Sequence, residues 1–161
     1  WLSEETADTP ERRESDWVWV VDPIDGTKEY IRGTAEFAVS VALVYQHQPV
    51  MGAVLNPATN EGAVGLVGGD TISWGITHRP DPATELMRVR ASISRSEIED
   101  GSTAPYVGFV GSTQPVGSVA YKLLRVACGM DDMTFSAQPK NEWDICGGVA
   151  DIDLKYVRTI R

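Results

Sequence analysis

The chain has 161 residues, 42% of them hydrophobic and 23% charged, so it has an ordinary globular composition and can bury one sizeable core. Its formal net charge of −9 disfavours a nucleic-acid polymer as partner, because binding to a polyanion depends on basic side chains that release counterions. No apolar run approaches the roughly 18 residues of a membrane span. We therefore expect a soluble protein without stable membrane insertion, folded as a single domain over residues 1–161. The composition predicts nothing about its oligomeric state.

The first half of the chain predicts β-structure. The acidic stretch 3–16 is expected to be a solvated loop. Apolar, β-branched residues then predict a strand at Trp17–Val21 and a longer one at Ala35–Gln46. A third strand at Pro49–Pro57 should pair with the second as a hairpin, with His47-Gln48 as the short connection. Two shorter strands are predicted within 61–75, around the turn Gly68-Gly69-Asp70.

Helices are predicted only in the second half. After a polar segment at 77–84, alternation predicts a strand at Arg88–Ser94, and a further strand is predicted at 132–137. A helix should begin after Gly117-Ser118, and another after the N-cap Asn141. The fold class is therefore α/β, in the mixed α+β sense. On the first helix, the residues predicted to share one apolar face are Val119, Leu123, Val126 and Ala127.

The segment Asp22-Pro-Ile-Asp-Gly-Thr27 stands where the first predicted strand ends. Pro23 holds Asp22 in extended geometry, and Gly26 allows a sharp turn, so Asp22 and Asp25 can converge. Two carboxylates about 4 Å apart repel by roughly 4 kcal/mol at an effective dielectric constant of about 20. A divalent cation would remove that repulsion. Because the available ligands are oxygens, the pattern favours Mg²⁺ over zinc.

Other interpretations of this segment were weighed. Asp-Pro and Asp-Gly are common in simple surface turns, so the pattern alone does not establish a site. A calcium-binding loop counted from Asp22 would need oxygen side chains at Ile24 and Gly33. The aspartyl-phosphate phosphatases space their aspartates by two residues, whereas Asp22 and Asp25 are three apart. The spacing excludes both of these classes.

Sites built on cysteine or histidine are also disfavoured. A cysteine phosphatase needs arginine six residues after its cysteine, but Thr134 and Ile152 stand there, and no Gly-rich phosphate loop with Gly-Lys-Ser/Thr occurs. His47 and His78 are expected to be solvent-facing loop residues. Cys128 and Cys146 are expected to be small buried residues of a reducing compartment, which favours a cytoplasmic location.

Four motifs together resemble the inositol monophosphatase superfamily, whose members are lithium-sensitive, Mg²⁺-dependent phosphomonoesterases. The resemblance implies a layered α-β-α-β-α sandwich of the sugar-phosphatase type. The family's N-terminal helical pair does not precede Trp1, and residues after Gly148 match poorly, so the domain is expected to be incomplete at both ends. The four motifs are Leu2–Glu5, Trp19–Ile31, Gly117–Gly129 and Glu142–Gly148.

Within that superfamily, the chain most resembles the 3′(2′),5′-bisphosphate nucleotidase branch, whose members act in sulfur metabolism. Lys28-Glu29-Tyr30 after the Gly-Thr, and Ser94-Arg95-Ser96 at a strand end, carry this resemblance. It implies hydrolysis of adenosine 3′,5′-bisphosphate to AMP and phosphate by metal-activated water. The alternatives are an inositol-1-phosphate phosphatase, and a catalytically silent module that binds metal or a partner without turnover.

The resemblance also implies a set of site residues. Two or three Mg²⁺ ions would be held by Glu4, Asp22, the Ile24 carbonyl, Asp25 and Asp144. The catalytic residues would be Glu4 and Thr27, which orient the attacking water, together with Asp25. The residues implied for binding a small phosphorylated substrate are Ile24, Asp25, Gly26, Thr27, Gly117, Ser118 and Asp144.

Some of these assignments keep a simpler alternative. Free N–H groups at the start of the predicted helix would suit an anion, but Gly117-Ser118 is equally typical of plain N-capping. Lys28 and Lys140 could meet a second phosphate, although each alone is more often a solvated surface charge.

Overall fold

A computed structural model describes residues 1–76 and 81–151 of the chain. These residues form a mixed α and β structure, as the sequence predicts. The prediction that helices occur only in the second half is wrong, because a short helix at Thr27–Arg32 follows the first long strand. The strands are β1 (Leu2–Ser3), β2 (Trp17–Asp25), β3 (Ala38–Tyr45), β4 (Gln48–Asn56), β5 (Glu61–Leu66), β6 (Thr71–Trp74), β7 (Arg90–Ser94), β8 (Ser112–Val116) and β9 (Met133–Phe135). The α-helices are α1 (Thr27–Arg32), α2 (Arg95–Glu99), α3 (Val119–Ala127) and α4 (Glu142–Asp151).

The first sheet has six strands in the order β1-β2-β3-β4-β5-β6, with β1 parallel to β2 and all other pairs antiparallel. The predicted hairpin of the second and third long strands is confirmed. Its connection was predicted one residue too late, because Tyr45 pairs with Gln48 and the loop is Gln46-His47. Both loop residues have positive φ, 45° and 67°, which matches the right-handed twist of the paired strands.

The second sheet has three parallel strands in the order β8-β7-β9. Its central strand β7 was predicted, and it buries Ala91 and Ile93. The edge strand β8 was not predicted, because its sequence Ser-Thr-Gln-Pro-Val is polar and contains Pro115. An edge strand tolerates proline, since one side of its backbone has no strand to bond to.

Helix α3 forms where the sequence predicts it, but the predicted apolar face was wrong. Val119, Leu123, Val126 and Ala127 are only half-buried. The helix turns a different stripe toward the first sheet, against Ala38 and Val54, while Leu123 packs beside Gly148 of α4. The helix therefore has two packing partners, which sequence periodicity could not separate. The residues buried against the sheet are Ala120, Tyr121, Leu124 and Cys128.

Helix α4 lies directly on the first sheet because glycines face each other at the contact. A Cβ atom at Gly52 would stand 2.0 Å from the carbonyl oxygen of Gly147, and one at Gly147 would stand 2.4 Å from Ser40 Oγ. A larger residue at position 52 would displace the helix backbone, and one at position 147 would require the Ser40 side chain to move. This close approach fixes the N-terminal turn of α4 over the end of β2.

The remaining predictions have mixed outcomes. The stretch 3–16 is mostly exposed, as expected, and includes a 3₁₀ turn at Pro10–Glu14. His47 is exposed, Cys128 is buried and Cys146 is half-buried. The prediction for His78 lies outside the described residues. None of the described helices combines the length and apolar character needed to cross a bilayer.

Candidate metal centre

An irregularity in β2 places its two aspartates on the same side. Asp22 pairs with Ser40 and Asp25 with Ala38, so three residue steps on β2 oppose two on β3. In a regular strand, side chains three residues apart point to opposite faces. The extra residue is a β-bulge that removes this alternation. It coincides with Pro23, which has no N–H for the ladder.

Three carboxylates meet at this bulge. Asp22, Asp25 and Asp144 each offer an oxygen, and these oxygens lie within 4.8 Å of one another. Asp144 comes from the first turn of α4, more than one hundred residues later in the chain. The structure thus brings together three of the four acidic side chains implied as metal ligands.

Asp22 is the least compensated member of this carboxylate cluster. Its side chain is 1% exposed, and Oδ1 accepts a hydrogen bond of 3.0 Å from the Ile24 N–H. Its Oδ2 is buried and has no hydrogen-bond partner. Burial, followed by the charges of Asp25 and Glu4, raises the pKa of Asp22 to about 7. A buried charge without a partner is destabilising, so the surroundings of Asp22 favour the binding of a cation.

Asp25 is held in one orientation by helix α3. Its Oδ2 accepts hydrogen bonds from Ser118 Oγ at 2.5 Å and from the Ala120 N–H at 2.6 Å. Burial raises the pKa of Asp25, although these two hydrogen bonds oppose the shift. The Asp144 carboxylate is anchored in a similar way, because its Oδ2 accepts from the Asn141 N–H at 2.9 Å. Asn141 precedes α4 as predicted, and this hydrogen bond to Asp144 satisfies the Asn141 backbone N–H.

Glu4 lies at the margin of the cluster and is not one of the three grouped carboxylates. It follows β1, whose Ser3 pairs with Val21, so the parallel register places Glu4 beside the level of Asp22. Its side chain is exposed, yet burial and then the charge of Asp144 raise its pKa. Glu4 is therefore electrostatically coupled to the cluster while remaining accessible to water.

The turn after the bulge presents the other predicted groups. Gly26 has φ 91°, and a Cβ there would stand 2.9 Å from the Glu36 carbonyl oxygen, so the position requires glycine. Thr27 begins α1 and is exposed, and its hydroxyl donates to the Ile24 carbonyl at 3.1 Å. The hydroxyl and the carbonyl implied as site atoms are thus in contact.

The N–H groups at the start of α3 are already bonded to protein atoms. Gly117 N–H donates to Glu36 Oε2, Ser118 N–H to the Glu36 carbonyl, and Tyr121 N–H to Ser118 Oγ. Ser118 is the N-cap, as the simpler interpretation held. The expectation that free N–H groups of this turn await an anion is therefore wrong for these donors, because each has an acceptor inside the fold.

The two predicted lysines differ in environment. Lys28 is exposed on α1, as a solvated surface charge would be. Lys140 Nζ lies 3.0 Å from the buried carboxylate of Glu97, so it is not a simple surface charge. Sequence analysis missed Lys122, which is 1% exposed with a buried, unpartnered Nζ. Burial and the charge of Lys140 lower the pKa of Lys122 to about 8. The sequence feature that could have identified Lys122 is its position among apolar residues of the predicted helix.

The donor set fits a hard divalent cation. All three grouped ligands are carboxylates, and one buried oxygen lacks any partner. Burial, followed by repulsion from neighbouring carboxylates, raises the pKa of Asp22. Oxygen-only ligation is what Mg²⁺ prefers in proteins.

The chain is similar in sequence to known proteins. The model of the inositol monophosphatase family matches residues 1–152. Inositol monophosphatase 3 of Solanum lycopersicum is 28% identical over 138 residues, which cover 81% of this chain and 52% of that relative. The 3′(2′),5′-bisphosphate nucleotidase CysQ of Shigella flexneri is 33% identical over 140 residues, covering 82% and 54%.

The solved structures agree at the level of the fold. An inositol monophosphatase from Thermotoga maritima superposes with a TM-score of 0.77 at 25% identity, covering 92% of this chain and 57% of that protein. The chain spans about half the length of the curated relatives it matches.

Proposed function

Because the chain belongs to the inositol monophosphatase family, we propose that it hydrolyses phosphate monoesters of small molecules with the help of Mg²⁺. The observation that carries this proposal is the cluster of Asp22, Asp25 and Asp144, in which one buried oxygen has no partner. The net charge of −9 fits a small substrate better than a nucleic-acid polymer.

The residues have distinct roles in this proposal. Asp22, Asp25 and Asp144 hold Mg²⁺, with the Ile24 carbonyl and Glu4 as further ligands for a total of two or three ions. When bound, the ions neutralise the carboxylates, acidify water and stabilise negative charge on the phosphoryl group.

Glu4 and Thr27 orient the attacking water. The raised pKa of the Glu4 carboxylate suits it to accept a proton from the water as the water oxygen bonds to phosphorus. The ester P–O bond breaks, and the leaving alcohol oxygen takes a proton from the solvent. Gly26 and Thr27 line the place of the phosphate at the start of α1. Gly117 and Ser118 shape the opposite wall and, through Asp25, support the metal ligands.

Adenosine 3′,5′-bisphosphate is the substrate we favour, as in a 3′(2′),5′-bisphosphate nucleotidase. The supporting features are Lys28-Glu29-Tyr30, Ser94-Arg95-Ser96 and the 33% identity to CysQ of Shigella flexneri. Such an enzyme would act in the cytoplasm in sulfur metabolism and would be inhibited by lithium.

Inositol 1-phosphate is the second candidate, favoured by the relatives named inositol monophosphatase, of which one from Solanum lycopersicum is 28% identical. A module that binds Mg²⁺ without turnover is the third, since the chain spans about half of those relatives.

A phosphate-release assay separates the three candidates. The purified chain is incubated with adenosine 3′,5′-bisphosphate or inositol 1-phosphate at increasing Mg²⁺, with and without lithium. We expect Mg²⁺-dependent release from the nucleotide, inhibited by lithium and absent in Asp22→Asn. A preference for the inositol ester would reassign the substrate. Mg²⁺ binding to the folded chain without release from either ester would identify the silent module.

A further inference from the structure

The ion pair of Arg95 and Glu36 lies between the second sheet and the candidate metal centre. Arg95 follows β7 and begins α2, whereas Glu36 lies just before β3. Arg95 Nη2 donates to Glu36 Oε1 at 2.7 Å and to Oε2 at 2.8 Å, and it also contacts the Pro115 carbonyl at 3.3 Å. The two sheets are thus joined by charge-assisted hydrogen bonds at this point.

Glu36 in turn holds the start of α3 by two separate groups. Its side-chain Oε2 accepts from the Gly117 N–H at 3.0 Å, and its backbone carbonyl accepts from the Ser118 N–H at 3.2 Å. Both donors belong to the residues immediately before the helix. Their positions therefore depend on where residue 36 stands.

The start of α3 determines the orientation of Asp25. Ser118 Oγ and the Ala120 N–H both donate to Asp25 Oδ2, and Asp25 belongs to the carboxylate cluster. A continuous chain of hydrogen bonds runs from Arg95 through Glu36 and Ser118 to Asp25. The partners that orient a metal ligand affect metal affinity nearly as strongly as the ligands do.

We propose that Glu36, supported by Arg95, is a positioning residue of the metal centre, which it serves by fixing the N-terminus of α3 and hence the Asp25 carboxylate. Glu36 contacts neither the cluster nor a reacting atom. This inference rests on the proposed function, because it assumes that Asp25 binds Mg²⁺.

The pair of Arg90 and Asp132 is a matched control. Arg90 stands at the opposite end of β7, and its Nε lies 3.2 Å from Asp132 Oδ2. Asp132 also accepts from the backbone N–H groups of Arg90 and Ala83, so it fixes local structure much as Glu36 does. Within the described residues, the polar partners of Asp132 are Arg90 and Ala83, and neither belongs to the carboxylate cluster.

Two measurements on Glu36→Ala, Glu36→Gln and Asp132→Ala test the proposal. Calorimetric titration with MgCl₂ should show affinity about tenfold or more weaker in Glu36→Ala. The loss should be smaller in Glu36→Gln, which retains an acceptor for Gly117, and absent in Asp132→Ala. Hydrogen exchange of the Ala120 amide, measured by NMR without metal, should accelerate in Glu36→Ala relative to Asp132→Ala at matched global stability.

The two readouts separate the inference from the proposed function. If the unmodified chain bound no Mg²⁺, the proposed function would fail, and faster exchange at Ala120 would then show only that Glu36 fixes the start of α3. Unchanged exchange at Ala120 in Glu36→Ala would overturn the inference. So would an Mg²⁺ affinity that falls no further than in Asp132→Ala.

Discussion

Two buried carboxylates in this chain have opposite electrostatic environments. Glu97, on α2, is 2% exposed and is bonded to Ser136 Oγ, the Ala137 N–H and Lys140 Nζ. Burial raises the pKa of Glu97, but these three hydrogen bonds outweigh it and the pKa is lowered overall. Asp22, which is 1% exposed, has one backbone donor and three acidic neighbours, and its pKa is raised to about 7.

The difference indicates that Glu97 serves the structure, whereas Asp22 is suited to bind a cation. The fold supplies every partner that Glu97 needs, so this carboxylate fastens α2 to the segment before α4. Around Asp22 the fold supplies more negative charge instead. Clustered carboxylates without compensating charge lower the stability of the fold, and a bound cation would neutralise them.

The largest expected effect is that of Asp22→Asn. The substitution removes a ligand charge, so the rise in unfolding temperature on adding Mg²⁺ should vanish and phosphatase activity should fall by at least about a thousandfold, about 4 kcal/mol. Differential scanning calorimetry with and without MgCl₂ measures the first effect. Without metal the variant should be at least as stable as the parent, since repulsion with Asp25 is relieved. An Mg²⁺ response equal to that of the parent would contradict the comparison.

Glu97→Ala should lower stability and leave the response to Mg²⁺ intact, the reverse of Asp22→Asn. It leaves Lys140 and the Ala137 N–H without their acceptor, so the free energy of unfolding should decrease by about 3 kcal/mol. Urea denaturation measures this change. Glu99→Ala is the control on the same helix, because the Glu99 side chain is 56% exposed, and it should change stability by less than about 0.5 kcal/mol. The temperature shift on adding Mg²⁺ should persist in both variants.

The pH dependence of the metal-free chain should reflect Asp22. Its pKa is raised in the folded state, so its contribution to stability is present below the unfolded pKa of 3.8 and is lost as the pH rises to about 7. The slope from this group is at most about 1.4 kcal/mol per pH unit. Urea titrations from pH 4 to pH 8 in EDTA measure the unfolding free energies of the parent and of Asp22→Asn. The difference between them isolates the contribution of Asp22 ionisation to stability. A difference that does not change with pH would exclude it.

Lys122→Met should have the smallest effect. The lysine is attracted by both Glu97 and Asp25, yet burial dominates and lowers its pKa to about 8. Replacing its unpartnered charge by an apolar side chain should raise stability at pH 7 by roughly 1 kcal/mol. Because the parent regains stability between about pH 8 and its unfolded pKa of 10.5, the advantage of the variant should shrink over that range. Lys122→Arg, which keeps the charge, should show no gain.

Local sequence signals predicted much of the fold. The alternating apolar residues of β3 and β4, the polar turn between them and the N-cap Ser118 are short-range features. The strands and the cap formed close to their predicted positions, and the turn formed one residue earlier. Such short-range features could not locate β8, whose polar sequence forms a strand only because β7 lies beside it. The buried stripe of α3 was missed for the same reason, since its two packing partners are distant in the chain.

For the candidate site too, some features follow from the local sequence and others only from the tertiary structure. The sequence alone determined that Asp22 and Asp25 stand at a strand end, next to a proline and to a glycine at position 26 that allows a sharp turn. These are properties of a few adjacent residues. Only the tertiary structure decided that a bulge turns both carboxylates to one side, that the Gly52–Gly147 contact brings Asp144 to them, and that Glu36 anchors α3. Those facts depend on register and close packing between segments far apart in the chain, for which no single stretch of sequence carries a signal.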